Sequence, residues 1–518
     1  MRLHDYLEFY ARETPDQPFA EMNGASIGYA EANQRANRMA HGFLASGLGR
    51  GDRISYLSKN SIDMSIMFFA ASKAGVVPVP LNYRLAPREW LYIINDADSR
   101  ALFCSGEFVE GIDSVRDELA PMSTFVCTTG SADGWADHET WLSKETTNPG
   151  LDISENDQLY QMYTSGTTGH PKGAMLSHRA IDSNIRMIAS LIPLPVSASR
   201  ILIVAPMYHA AAGVSLMNGI SYGATLIIHE DFHPGHVIQA LSDDGVTSAT
   251  LVPAMIQACL VSVPDAAERD YPSLEYMIYG ASPIAEETLR QAMDVFKCDF
   301  MQAFGMTETT AVATVLGPAE HRRALAGEQK LLKSAGRAAL GTEVKIVDEE
   351  DREVDRGTIG EVVVRGPQVM MGYWNLPEAT EKSLKDGWMH TGDAAYMDDE
   401  GFIYIQDRIK DMIVSGGENI YPTEIENALF EHDAVADAAV IGIPSEQWGE
   451  SVLAFLVLKD GQTVTPEEMI EFCRPRLAGY KIPRRIEFLD AIPRNASGKI
   501  LKKDLREPFW EGVERRVS

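Results

Sequence analysis

The segment Tyr163-Thr164-Ser165-Gly166-Thr167-Thr168-Gly169-His170-Pro171-Lys172-Gly173 gathers hydroxyls, glycines and one lysine directly behind the short apolar run Leu159 to Tyr163. Glycines permit a backbone path in which successive N–H groups point inward, and hydroxyls with an ammonium add donors. Those types suit the oxygens of a phosphate chain. A Walker A loop is excluded by the order of residues, because Pro171 rather than Gly precedes Lys172 and Gly173 follows it. A plain flexible turn is the competing reading of the same composition.

Other positions carry groups that a nucleotide would use. In Gln302-Ala303-Phe304-Gly305-Met306-Thr307 a Gly-flanked turn presents Phe304, whose face could stack on adenine, with the small residues Gly280-Ala281-Ser282 on the opposite side. Glu308 follows at once and offers a hard oxygen ligand for the Mg²⁺ that accompanies ATP, a shell that Thr164 could share. Asp393, in a glycine turn, can accept hydrogen bonds from both ribose hydroxyls, and Arg408 can add donors to the same sugar. Taken singly, each has an ordinary alternative: a core phenylalanine, a solvated glutamate, a surface salt bridge.

The elements that must position these groups alternate. Leu3, Tyr6, Leu7 and Tyr10 mark an amphipathic first helix. Runs such as Arg53-Ile54-Ser55-Tyr56-Leu57 and Ala224-Thr225-Leu226-Ile227-Ile228 then precede helical segments at 61–74 and 236–243. This βα alternation, continued to about residue 310, predicts an α/β fold with layered, largely parallel sheets flanked by helices. Near residue 340 short strands separated by Gly- and Asp-rich turns begin, at 344–347, 361–365 and 402–405, and predict a β-rich subdomain. The tail predicts a small α+β domain. It has one helix from Thr423, with Thr423 and Glu426 as a capping box, and another from Thr465, with Pro466 at its first position and Glu468 three residues on. Between them lie strands at 438–443 and 452–458.

The 518 residues exceed what one core organises, so two or more domains are expected. A net charge of −28 argues against nucleic acid or an anionic membrane as a default partner. Five scattered cysteines without a CxxC pair point to a reducing compartment. The first residues lack an apolar signal core, and no apolar run reaches the ~18 residues of a membrane span. A cytoplasmic enzyme without an integral membrane segment is expected.

The loop does not stand alone. Pro206-Met207-Tyr208-His209, the segment from Gln302 to Glu308, Thr391-Gly392-Asp393, Asp407-Arg408-Ile409-Lys410, Ser415-Gly416-Gly417-Glu418-Asn419 and Asn495-Ala496-Ser497-Gly498-Lys499 follow it. This ordered set, spanning essentially the whole chain, resembles the adenylate-forming superfamily of acyl-CoA synthetases, nonribosomal adenylation domains and luciferases. The resemblance implies a large N-terminal AMP-binding domain (1–409, with 340–409 its β-rich part) and a small mobile C-terminal domain (410–518), with catalysis in the cleft between them. It further implies that Lys499 reaches the α-phosphate and the substrate carboxylate during adenylation. His209 borders the carboxylate or acyl tunnel, with a core histidine as the alternative. Lys410 is the hinge, and Ser415, Gly416, Gly417 and Glu418 meet the pantetheine arm of coenzyme A after the small domain turns.

The acyl pocket is placed at His209, Ala211, Ala212 and Gly213, beside Gly280 to Pro283 and Ala303 to Met306. No acidic residue there could pair an α-ammonium, so amino acids are poor substrates. A medium- or long-chain fatty acid is preferred over a cinnamate- or ferulate-type acid, and free coenzyme A over a carrier-protein thiol. A luciferase would emit light. A phosphotransferase would yield ADP in place of AMP and pyrophosphate, and a regulator without catalysis would not need both Lys499 and Glu308. Homodimerisation is compatible with the sequence.

Overall fold

The segment from Arg53 to Gly75 shows how the first part of the chain folds. Arg53–Leu57 is a strand, and the helix Ile62–Ala74 that follows buries every residue from Met64 to Ala74. Ser61 caps this helix by accepting the Met64 N–H at 3.0 Å, and Gly75 ends it in the left-handed region at φ 71°. A helix apolar on all sides belongs between layers, where each face meets a neighbour.

The computed structural model describes the chain except residues 123, 165–170, 192–198, 282–283, 285, 417, 446, 495–499 and 511–518. Two compact units result: Met1–Leu332 with Gly336–Val344 and Val364–Met389, and Lys333–Ala335 with Lys345–Val363 and His390–Ser518.

Three sheets organise the first unit. The largest has nine strands, parallel from Pro18–Met22 through Thr225–Ile228, Arg200–Ile203, Ser248–Leu251 and Tyr276–Gly280 to Asp299–Phe304, with antiparallel strands at both ends. A five-stranded parallel sheet contains Arg53–Leu57. The third is antiparallel and joins Gln158–Thr164, Lys172–Ser177 and Gly372–Tyr373. The α/β class and the alternation read from the sequence both hold.

In the second unit Ile403–Arg408 runs antiparallel to the strand Trp388–Met397, with Asp393 opposite Arg408. Asp393 is therefore a strand residue, not a turn residue; the turn-like feature is Gly392, at φ 73°. The strands Val435–Ser445 and Gly449–Leu458 form a long hairpin over a core that includes Ile413, Ile425, Leu429, Val440, Leu456 and Met469.

The two expected helix starts come out differently. Thr465 caps Pro466–Cys473 in a capping box with Glu468. Pro422–Phe430, however, begins after Tyr421 without a side-chain cap. There Thr423 gives both its N–H (2.9 Å) and its hydroxyl (3.0 Å) to Asp407, and Glu426 accepts the Val440 N–H at 2.8 Å. Tertiary partners have taken both ends of the expected box.

Candidate active site

The strands Gln158–Thr164 and Lys172–Ser177 that flank the phosphate-loop segment pair antiparallel as a β-hairpin, with Thr164 opposite Lys172. Ser165, Gly166, Thr167, Thr168 and Gly169 lie outside the described residues. The hairpin base is well anchored. Tyr163 donates to Asp96 at 2.6 Å, and the Asp96 carbonyl accepts from the Trp374 indole at 3.1 Å. The Trp374 backbone N–H in turn reaches the Gly173 carbonyl at 2.8 Å.

Lys172 projects over the ring of Tyr373, its Nζ 5.0 Å from the centroid. The same tyrosine donates its hydroxyl to Glu308 Oε1 at 2.7 Å. Glu308 is buried, and its carbonyl accepts from Met370 N–H at 2.8 Å. It sits in the 3₁₀ turn Thr307–Thr309, which two left-handed residues follow, Thr310 (φ 52°) and Ala311 (φ 74°). Non-glycine residues adopt that region only when their surroundings hold them there. Here Thr310 is gripped by Gln368, whose carbonyl accepts its hydroxyl at 2.6 Å, and by Asn184, whose side chain donates to the Thr310 carbonyl at 2.7 Å. One carboxylate and one ammonium are thus linked through the Tyr373 side chain. Tyr373 was not singled out from the sequence; its contact with Glu308 spans 65 residues, and no local pattern signals it.

Gly280 and Ala303 are partners at the carboxyl ends of adjacent parallel strands, where open α/β sheets bind ligands. A Cβ at Gly280 would stand 2.2 Å from the Ala303 carbonyl oxygen, and one at Gly305 2.4 Å from that of Ala311, so both must be glycine. Ala281 takes the left-handed conformation at φ 66°. Phe304 ends its strand half-buried beside this seam, and the Gln302 Oε1 is buried without a hydrogen-bond partner among the described residues. Met306 exchanges hydrogen bonds with the Thr309 hydroxyl. Ser282 falls outside the described residues. Small residues and an aromatic at neighbouring strand ends, with an unspent acceptor nearby, have the chemistry of a purine seat.

His209 precedes the helix Ala210–Ser221, and its carbonyl accepts the Gly213 N–H at 2.9 Å. Asn60 holds the preceding loop by accepting from Met207 N–H and donating to the Ala205 carbonyl. The residue is half-buried as a whole, but its Nε2 is fully covered and unpartnered among the described residues. Burial, aided by the Arg84 charge, pushes the imidazole down to about 4. A neutral ring at physiological pH is the result. Ala211 is half-exposed and Ala212 buried. Gly213 is spoken for by packing, since a Cβ there would lie 3.3 Å from the Met207 carbonyl oxygen and 3.4 Å from the Tyr160 hydroxyl.

In the second unit Arg408 Nε bonds Asp393 Oδ1 at 2.7 Å, and its Nη1 donates to the Thr391 carbonyl at 3.1 Å. The two residues expected to share a ribose therefore form one rigid pair, with Asp393 buried. Lys410 lies in the 3₁₀ turn Ile409–Asp411, its ammonium lowered chiefly by burial. Gly416, at φ 62°, packs on the Trp448 ring, where a Cβ would come within 2.9 Å. Ser415 is buried and Glu418 exposed across the hairpin Ile413–Ile420. Gly417 and Lys499 lie outside the described residues.

The donor set fits a magnesium–nucleotide. Among the described residues no three His, Cys, Asp or Glu side chains group to hold a metal by themselves. Glu308, linked through Tyr373 to the hairpin that carries Thr164 and Lys172, suits an ion that shares its shell with substrate phosphates. No helix among the described residues is long and apolar enough to cross a membrane.

Comparison with known proteins agrees with this chemistry. The AMP-binding enzyme family model matches residues 7–374, and the AMP-binding enzyme C-terminal domain model matches residues 424–499. The chain is 38% identical over 514 residues to the fatty acid–[acyl-carrier-protein] ligase ScoC of Streptomyces coeruleorubidus, covering 98% of this chain and 97% of that one. It is 38% identical over 500 residues to a feruloyl-CoA synthase of an Amycolatopsis species, covering 96% and 97%. The crystal structure of ATP-bound MatB from Rhodopseudomonas palustris superimposes with a TM-score of 0.89 at 28% identity, over 99% of this chain and 100% of that one. The chain belongs to the AMP-binding enzyme family, within the adenylate-forming superfamily, as an AMP-forming acid–thiol ligase of the acyl-CoA synthetase type.

Proposed function

We propose that this ligase works in the cytoplasm on a medium- or long-chain fatty acid, using ATP and magnesium, and delivers the acyl group to coenzyme A. The observation that supports the reading is that Lys172 and Glu308 both engage Tyr373 within one unit, with Glu308 following shortly after Phe304, which ends the strand paired with the Gly280 strand.

Adenine binds between Phe304 and the small residues Gly280, Ala281 and Ser282, and the triphosphate is bound by Ser165 to Gly169 together with Lys172. Glu308 and Thr164 would hold the magnesium, whose charge would offset that of the phosphates. Asp393 and Arg408, already paired, bind the ribose hydroxyls. His209 is neutral, so its Nε2 can donate one hydrogen bond to the substrate carboxylate without adding charge. That carboxylate attacks the α-phosphorus, the α–β phosphoanhydride breaks, and pyrophosphate leaves. The Lys499 ammonium offsets the charge that builds on the phosphoryl oxygens, an effect worth roughly 3 kcal/mol for one well-placed donor. The small domain then turns about Lys410 and brings Ser415, Gly416, Gly417 and Glu418 to the acyl-AMP, where the thiolate of coenzyme A displaces AMP. Keeping the mixed anhydride in place while the second surface arrives limits its hydrolysis.

The fatty-acid preference draws on the apolar residues around Ala211 and Ala212, the lack of an acidic residue in the pocket positions, and the ScoC relative. The test is AMP release with decanoate, palmitate, cinnamate and ferulate, each with coenzyme A or with a holo-carrier protein. Fastest turnover with a fatty acid and free coenzyme A is expected. A preference for ferulate, or for the carrier protein, would overturn the substrate or the acceptor respectively while leaving the adenylation chemistry intact.

A further inference from the structure

Lys172 and Glu308 both engage the side chain of Tyr373, and among the described residues Lys172 makes no ion pair. The ring of Tyr373 carries the ammonium on its face, with Nζ 5.0 Å from the centroid, while its hydroxyl donates to Glu308 Oε1 at 2.7 Å. An aromatic face attracts an ammonium, and a phenol donates well to a carboxylate, so one side chain satisfies both ions without letting them neutralise each other.

The ring is fixed from several directions. Tyr373 N–H donates to the Thr380 hydroxyl at 2.9 Å, and Tyr373 is the strand partner of Ala174 in the hairpin that carries Lys172. On either side Met371 and Trp374 N–H groups bond the carbonyls of Met175 and Gly173, each at 2.8 Å. Met370 N–H holds the Glu308 backbone. The short strand Gly372–Tyr373 thereby ties the hairpin to the Glu308 turn, with the tyrosine pointing between them. Gly372 is needed for this approach: it stands at φ 137°, and a Cβ on it would reach within 2.7 Å of the Thr380 methyl.

We propose that Tyr373 is a positioning residue for the magnesium-bound triphosphate: its hydroxyl orients the Glu308 carboxylate, its ring seats the Lys172 ammonium, and as a spacer it keeps both charges available to the substrate. The proposal rests on the assignment of Lys172 and Glu308 to the phosphates and the metal. It predicts separable effects. Tyr373→Phe keeps the spacer and loses only the hydrogen bond to the carboxylate, so metal-dependent binding weakens while metal-free nucleotide binding stays as it was. Tyr373→Leu also removes the aromatic seat and lets Lys172 swing to Glu308, so both forms of binding weaken.

The experiment is calorimetric titration with α,β-methylene ATP, with magnesium and in EDTA, alongside manganese binding followed by water proton relaxation. Tyr373→Phe, Tyr373→Leu, Lys172→Met and Glu308→Gln are compared with the native chain. For Tyr373→Phe the expected result is an increase of about tenfold in the manganese concentration for half-saturation of the nucleotide complex, the scale of a lost hydrogen bond to a charged group, with unchanged affinity in EDTA. Native-like metal and nucleotide binding in Tyr373→Phe would overturn the proposal, and this conservative variant decides the matter even if Tyr373→Leu does not fold. If Lys172→Met and Glu308→Gln weaken binding while the Tyr373 variants do not, Tyr373 alone loses its role. If none of the four changes binding, the phosphate and metal assignment itself falls, and the proposal with it.

Discussion

At the scale of single residues, burial decides what a group can do. His209 was read from the sequence as a pocket residue, with a core histidine as the alternative, and its surroundings hold it neutral far below physiological pH. It can orient a carboxylate, but it cannot act as a proton-switching acid near pH 7. Replacing it with Ala is expected to lower kcat/KM for the acid about 10²-fold, the scale of a removed positioning donor. Its titration should leave no mark between pH 6 and 8, so the pH profiles of the native enzyme and His209→Asn should have the same shape at different heights. An inflection near pH 6.5 in the native profile that disappears in the variant would contradict the assignment. The types and order of Lys172, Glu308, Asp393 and Arg408 could be read from the chain. Their mutual geometry could not: the Tyr373 bridge depends on contacts between segments 65 residues apart, and the Asp393–Arg408 pair on the register of two neighbouring strands.

At the scale of elements, the two helix starts in the tail show where local reasoning stops. Thr465 and Glu468 are in the open, nothing competes for them, and the capping box forms as spacing predicts. Thr423 and Glu426 have the same spacing, but Asp407 and the Val440 N–H claim them instead. Lys502 completes this cluster, 2.9 Å from Glu426 and 3.6 Å from Asp407, with all three side chains largely buried. Burial opposes the lysine's charge, but the carboxylates of Glu426, Asp407 and Asp411 outweigh it and hold the ammonium protonated. Glu426 itself is pushed up by burial, against the pull of Lys502. Replacing Lys502 with Ala leaves two buried carboxylates uncompensated, and a loss of about 3–5 kcal/mol in the stability of this unit is expected by chemical denaturation. Lys502→Met with Glu426→Gln should recover much of it. If Lys502→Ala unfolds at the native denaturant concentration, the cluster contributes nothing to stability.

At the scale of the whole molecule, layered parallel sheets and a β-rich region could be read from hydrophobic runs and turn residues, because those patterns are set by burial along each strand. The strand order of the nine-stranded sheet could not, since the first strands join its far edge through residues hundreds of positions away. The first helix is pinned into this unit by buried histidines. His4 Nδ1 bonds the Ser72 hydroxyl at 2.7 Å, and His178 Nδ1 accepts the Leu3 N–H at 3.2 Å. Burial, with the Lys73 charge adding to it at His4, lowers them to about 3 and about 4. In the unfolded chain each histidine takes up a proton near pH 6.5, while in the fold it does not, so the unfolded state gains protons as pH falls from about 6.5 toward 4. Stability should be flat above pH 7 and fall below it, with His178 alone accounting for about 2 kcal/mol by pH 5. Thermal unfolding from pH 8 to 5 checks this: His178→Gln should show a shallower decline, and an identical decline would contradict the account.

The central claim is that a carboxylate oxygen attacks the α-phosphorus of ATP to make an acyl-AMP. The most direct measurement uses a fatty acid labelled with ¹⁸O in its carboxylate, with ATP, magnesium and coenzyme A, and reads the phosphorus products by mass spectrometry. One ¹⁸O in AMP and none in pyrophosphate is the expected result. Label in inorganic phosphate, with ADP as the nucleotide product, would contradict it.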